Sequence, residues 1–190
     1  KLMFEAPDEF TIYEPSKAEL DRLLDENEDA TGSIEKDDNG DYYYTEEDSE
    51  SRQYYEFSAE FNGDNDYSVS NAAVDLYRYD KGTSSFYNDG ELLKLFEEDI
   101  EDANDELSEL GIELEKGKEY KKTIGGNEYT CYDYSAETEY YGYTVNVSAV
   151  IAIYSSGDDA MVIEAYTIVM GEPDKSYTTE DLLDMFSACK

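Results

Sequence analysis

At 190 residues the chain fits a single folding unit, and 49 Asp and Glu against 14 Lys and Arg set its formal charge at −35. Nucleic acid and anionic lipid are excluded as partners, since both are gripped by Lys and Arg that displace counterions; cations, neutral molecules such as glycans, and basic proteins remain. A mean hydropathy of −0.76 lies toward that of disordered chains, yet 39% hydrophobic residues, with 20 Tyr and 7 Phe, recur periodically enough to build a core.

In chain order, Ser16 with Glu19 three residues on has the capping-box pattern, and Leu20, Leu23 and Leu24 give the helix that follows a narrow apolar stripe. Residues 33–44 read as a hairpin, because strand-like SIEK and DYYY flank the turn-forming DDNG. Next, Tyr55, Phe57, Ala59 and Phe61 alternate with Tyr54, Glu56, Ser58 and Glu60, the pattern of a strand with one dry face. A strand over 69–79 turns Val74 and Leu76 inward. Leu92, Phe96, Ile100, Ala103, Leu107 and Leu110 then recur at steps of three and four along a long helix that Gly111 stops. Its last turns are acidic, the wrong sign for that end of the helix dipole, so packing has to hold it in place. Tyr143, Val145, Val147, Ala149, Ile151 and Ile153 share one face of a strand, and Met161, Ile163, Ala165, Thr167 and Val169 one face of the next. The short SSGD link makes these two antiparallel neighbours at the sheet's centre. After Thr178 or Thr179 a closing helix places Leu182, Met185, Phe186 and Cys189 on one side. Strand faces and helix stripe are expected to meet in one shared interior.

No apolar run approaches the roughly 18 residues of a membrane-spanning helix. The chain opens on Lys1, and its acidic, Tyr-rich, His-free composition is that expected of a mature extracytoplasmic protein, secreted or lipid-anchored, from which a leader has been cut. Cys131 and Cys189 are too far apart for a CxxC motif. Either they pair once, closing a loop worth about 4 kcal/mol in the chain-entropy model, or both are buried thiols.

Without histidine, Ser-His-Asp and Cys-His catalysis and His-ligated metals are ruled out. Paired carboxylates remain, and glycoside hydrolysis requires two of them, although 49 acidic residues make any one pair indistinguishable from another. Glu35-x-Asp37-x-Asn39-Gly40 followed by Glu46 has the spacing of a Ca²⁺-binding EF-hand loop, with Glu in place of the usual first ligand. No helix enters it, and Tyr42, Tyr43 and Tyr44 read as a returning strand, which favours an acidic hairpin turn. Loose Ca²⁺ binding by these carboxylates, by Asp64-Asn65-Asp66 and by Asp158-Asp159 is the weaker form of the same expectation. Tyr42, Tyr44, Tyr54 and Tyr141 are candidates for a ligand-binding face, because a tyrosine ring offers sugars or peptides an apolar plane with a hydrogen-bonding tip. Adjacent tyrosines on a strand point to opposite faces, so about half of each cluster belongs to the core.

The segment Thr123-Ile124-Gly125-Gly126-Asn127-Glu128-Tyr129 follows a long helix and precedes strands closed by a short helix. Together with the opening Phe4-Glu5-Ala6-Pro7-Asp8-Glu9-Phe10-Thr11, it resembles the PsbP-like (Mog/DcrB-type) α+β family, whose bacterial members are often secreted or lipid-anchored. That family's usual tryptophan is absent. The resemblance implies an α+β fold with a central antiparallel β-sheet and helices packed against it. Residues 1–190 would form one domain, with 16–50 as a helix-plus-hairpin insertion. It implies no transferable site residues. The expected function is a nonenzymatic extracytoplasmic accessory or binding domain; the alternatives are a carboxylate-dependent hydrolase acting on glycans and a weakly Ca²⁺-binding structural domain.

Overall fold

The computed structural model describes residues 2–14, 16–18, 20–21, 32–45, 51–65, 68–80, 89–108, 111–157 and 159–188. Its elements are β1 (Leu2–Phe4), β2 (Thr11–Tyr13), β3 (Ser33–Lys36), β4 (Tyr42–Thr45), β5 (Arg52–Asn62), β6 (Val69–Asp80), α1 (Asp89–Ser108), β7 (Glu115–Ile124), β8 (Asn127–Tyr140), β9 (Tyr143–Ser156), β10 (Asp159–Met170), α2 (Thr179–Asp184) and β11 (Phe186–Ala188). Helical geometry also begins after Ser16, whose carbonyl accepts the Leu20 N–H at 3.0 Å. The continuation through Leu23 and Leu24 lies outside the described residues.

Nine antiparallel strands form one sheet in the order β3-β4-β5-β6-β10-β9-β8-β7, with β2 beside β5, while β1 and β11 pair separately. This corrects the balanced α+β expectation. The fold is dominated by its sheet, because the Lys-, Glu- and Tyr-rich stretch after α1 forms the ten-residue β7 and the fourteen-residue β8. The opening segment divides between two partners: β1 pairs with β11, and Thr11–Tyr13 with Glu60–Ser58 of β5.

The expectation of a single interior is corrected as well, for the sheet separates two cores. On one face, Leu92, Phe96 and Ile100 of α1 pack on Val145, Val147, Ala149, Ile151 and Ile153 of β9. On the other, Leu182 and Leu183 of α2 and Phe186 of β11 pack on Val74, Leu76, Ile163 and Ala165. The physical reason is that β9 and β10 are apolar on both sides: Val150 and Ala152 face α2 while their neighbours face α1. A strand buried on both faces shows no single dry stripe.

One extra residue in β5 sets which side chains reach which face. Tyr55 lies opposite Tyr77, and Phe57 opposite Leu76, with the register shifting between them. Glu56 is therefore a β-bulge, and the bulge reverses the facing of everything before it. Tyr55 stacks on Tyr77 on the α1 side, with ring centroids 5.0 Å apart, while Phe57, Ala59 and Phe61 face α2. The expected dry face of β5 is thus broken at Tyr55.

Gly111 stops α1 as expected. At φ +71° it donates its N–H to the Ser108 carbonyl at 2.9 Å, and Ile112 donates to the Leu107 carbonyl at 3.2 Å, the paired bonds of a Schellman cap. The closing helix is shorter than expected. Thr178 and Asp181 form a capping box at its start, but Met185 ends it, and Phe186 enters β11, where it pairs with Phe4 of β1 and is buried.

Gly125 and Gly126 make the two-residue turn between β7 and β8, both with positive φ. A Cβ on Gly125 would fall 2.2 Å from Leu2 Cδ2, whereas one on Gly126 would meet nothing within 4 Å. Gly126→Ala should therefore cost about 1 kcal/mol, the left-handed penalty alone, and Gly125→Ala roughly twice that, because the β1–β11 ribbon must also move. Equal losses in urea denaturation would refute the close approach.

Candidate functional site

On the α2 face a cleft of about 720 Å³ opens beside the β5 bulge. Its floor is Phe57, Leu76, Tyr154 and Met161, and Ile12 of β2 stands at its wall, 53% exposed. The bulge positions the floor, since it turns Phe57 to this side opposite Leu76. Phe4, Phe57 and Phe186 hold each other with ring centroids 4.9 to 5.9 Å apart, tying β1 and β11 to the sheet. Glu14, Asp41, Glu56, Arg78 and Asp159 supply charge around the floor. Arg78 Nε donates to Glu56 Oε1 at 2.7 Å, and its guanidinium lies 3.6 Å from the centre of the Tyr54 ring.

A second arrangement lies on the α1 face. Asp75 of β6 sits directly opposite Glu164 of β10 and also opposite Ser58 of β5. The Tyr55 hydroxyl donates to Asp75 Oδ1 at 2.5 Å. Burial, reinforced by Asp99 and Asp75, pushes the Glu164 carboxyl up to about 8. Burial also raises Asp75, although bonds from Tyr55 and Ser58 pull it back. Asp99 of α1 is pushed up to about 6 by partial burial and by Asp102, Glu98 and Asp75. Two directly opposed carboxyls that compete for protons are the arrangement acid–base chemistry draws on.

Sequence reasoning missed Asp75, Glu164 and Asp99. The available signal was a lone carboxyl, Glu164, in a row that otherwise reads Ala160, Val162, Tyr166, Ile168. The stripe from Met161 to Val169 disguised it by presenting the other face of β10 as the dry one.

The four tyrosines expected to form a binding face are not brought together. Tyr54 is 3% exposed and packs under Arg78, with its ring 5.5 Å from that of Tyr43. Tyr42 and Tyr44 lie half-buried on β4, and Lys36 Nζ sits 4.9 Å from the centre of the Tyr42 ring. Tyr141 is 86% exposed at the β8–β9 turn, at φ 49°.

Residues 37–41 form the expected hairpin turn, and its carboxylates are used internally. Asp37 Oδ1 accepts the N–H groups of Asn39 and Asp41, each at 2.9 Å, and the Tyr54 hydroxyl reaches Oδ2 at 3.3 Å. Glu35 accepts the Tyr43 hydroxyl at 2.8 Å. Asn39 is exposed at the turn; Glu46, Asp66 and Asp158 lie outside the described residues. Among the described residues no group of three or more acidic or Cys side chains is placed to hold a metal ion. NaCl should raise the melting temperature by screening carboxylate repulsion, with CaCl₂ compared at matched ionic strength. A larger rise with Ca²⁺ would reveal a site.

Cys131 is a free, buried thiol, pushed up to about 11 by burial and by Asp133. Cys189 lies outside the described residues.

No family model matches the chain. No curated protein matches it either, so the PsbP-like resemblance of Thr123–Tyr129 gains no family match. Among solved structures it is similar to LpqN of Mycobacterium tuberculosis, described as involved in cell envelope biogenesis, with a TM-score of 0.41 and 10% identity over 98% of this chain and 82% of that one. It is also similar to PA94 of Pseudomonas aeruginosa, described as a protein of unknown function and putative regulator, with a TM-score of 0.26 and 8% identity over 74% of this chain and 83% of that one. Scores this low carry neither ancestry nor role. Among the described residues, no helix is long and apolar enough to cross a membrane.

Proposed function

We propose that the protein is a nonenzymatic extracytoplasmic binding domain that takes its ligand in the cleft on the α2 face. The observation that carries this reading is an open cleft of about 720 Å³ in which an apolar, partly aromatic floor lies beside the charged Glu14, Asp41, Glu56, Arg78 and Asp159, a concave surface that offers a ligand both apolar contact and polar anchors. The acidic, His-free composition supports extracytoplasmic placement, and the PsbP-like resemblance of Thr123–Tyr129 points toward an accessory role.

Calorimetric titration with the neutral amphiphile decyl maltoside, kept below its micelle concentration, tests the reading. Saturable binding is expected, weakened about tenfold by Ile12→Ser, which removes apolar wall worth ~0.8 kcal/mol per buried methylene. Absence of saturation, or an Ile12→Ser protein that binds as before, would remove the cleft as the site.

The opposed Asp75 and Glu164 favour a second reading, a carboxylate-dependent hydrolase acting on glycans. Glycan turnover that vanishes in Glu164→Gln, with the fold intact by circular dichroism, would put it in place of the first.

A further inference from the structure

We infer that the ligand of the cleft carries a positively charged nitrogen on an apolar body, as an amphipathic ammonium compound does; this rests on the cleft being the binding site. Of the charged groups that line it, Glu56 and Arg78 already satisfy one another, and the guanidinium is further engaged over the Tyr54 ring. Glu14, Asp41 and Asp159 are left without a cationic partner among the described residues. They flank a floor of Phe57, Leu76, Tyr154 and Met161, whose low polarity concentrates the field of carboxylates beside it. An anionic head group would meet that field as repulsion. A bare metal ion has no use for the floor, and a neutral ligand leaves the carboxylates unanswered. An ammonium group on an apolar tail answers both, with the rings of Phe4, Phe57 and Tyr154 among the residues that line the cleft.

Three probes with the same ten-carbon tail separate the contributions: decyltrimethylammonium, decyl maltoside and decanoate, titrated at fixed ionic strength below their micelle concentrations. The ammonium probe should bind at least tenfold more tightly than the maltoside, and decanoate should not bind. Glu14→Gln combined with Asp159→Asn should bring the ammonium probe to the level of the maltoside. Asp41→Asn alone should lower the ammonium preference in part. Glu113→Gln with Glu115→Gln, exposed positions outside the cleft lining, should change nothing. If the maltoside binds as tightly as the ammonium probe, and Ile12→Ser weakens both, the charge inference is wrong and the cleft reading survives. An ammonium preference that persists in Glu14→Gln/Asp159→Asn belongs to the acidic surface at large and overturns the inference. If no probe saturates, the cleft reading falls and takes the inference with it.

Discussion

Glu164→Gln should stabilise the protein at pH 8.5 and leave it nearly unchanged at pH 4.5. The folded protein holds the Glu164 proton up to about pH 8, against an ordinary value of 4.5, so the native state binds that proton more tightly than the unfolded chain. Stability from this group is therefore complete below about pH 4.5 and is lost as pH rises toward 8. At about 1.4 kcal/mol per tenfold change in proton affinity, the loss is on the order of 3 to 5 kcal/mol. Glutamine mimics the protonated acid and removes the loss. The groups that act on Glu164 and Asp75 strengthen the expectation: Ser58 and Tyr55 come from β5, Tyr77 from β6, and Asp99 from α1, and none of them is a cation. Urea denaturation of both proteins across this range is the measurement. Parallel curves would show that Glu164 ionises freely in the folded state.

Phe96→Ala should cost 3 to 5 kcal/mol, the usual loss when a large core aromatic is truncated. Phe96 is fully buried under α1, with its ring centroid 5.1 Å from that of Tyr77 and 6.3 Å from that of Tyr79. For a chain of this size the melting temperature should fall by ~2 to 4 °C for each kcal/mol. Because the sheet divides the two cores, affinity in the cleft should hold below the new melting temperature. A proportionate loss of affinity would show that the two faces act as one body.

Elements with strong periodicity were legible in the sequence. The inward Val74 and Leu76 of β6, the stripe of α1 from Leu92 to Leu107 with its Gly111 stop, and the antiparallel β9–β10 pair stand where the residues put them, while Leu110 lies outside the described residues. The pattern of β7 was illegible because EKGKEYKKTI is an edge strand whose lysines keep other edges away, and its dry side is limited to Tyr120 and Ile124 at its end. The Glu56 bulge was hidden for a different reason: an extra residue changes phase only relative to a partner strand, and one strand read alone does not contain it. The two-sided burial of β9 and β10 concealed both the second core and the place of Glu164. The cleft draws on residues as far apart as Leu2 and Met161, a closeness that only the folded chain creates.

Between Phe57 and Tyr55, or between Leu76 and Asp75, the chain passes from the cleft to the acid pair in one or two residues. The partition is a single backbone thick. The ladder hydrogen bonds of β5, β6 and β10 therefore hold both faces at once, and the same strands that floor the cleft also carry the acid pair.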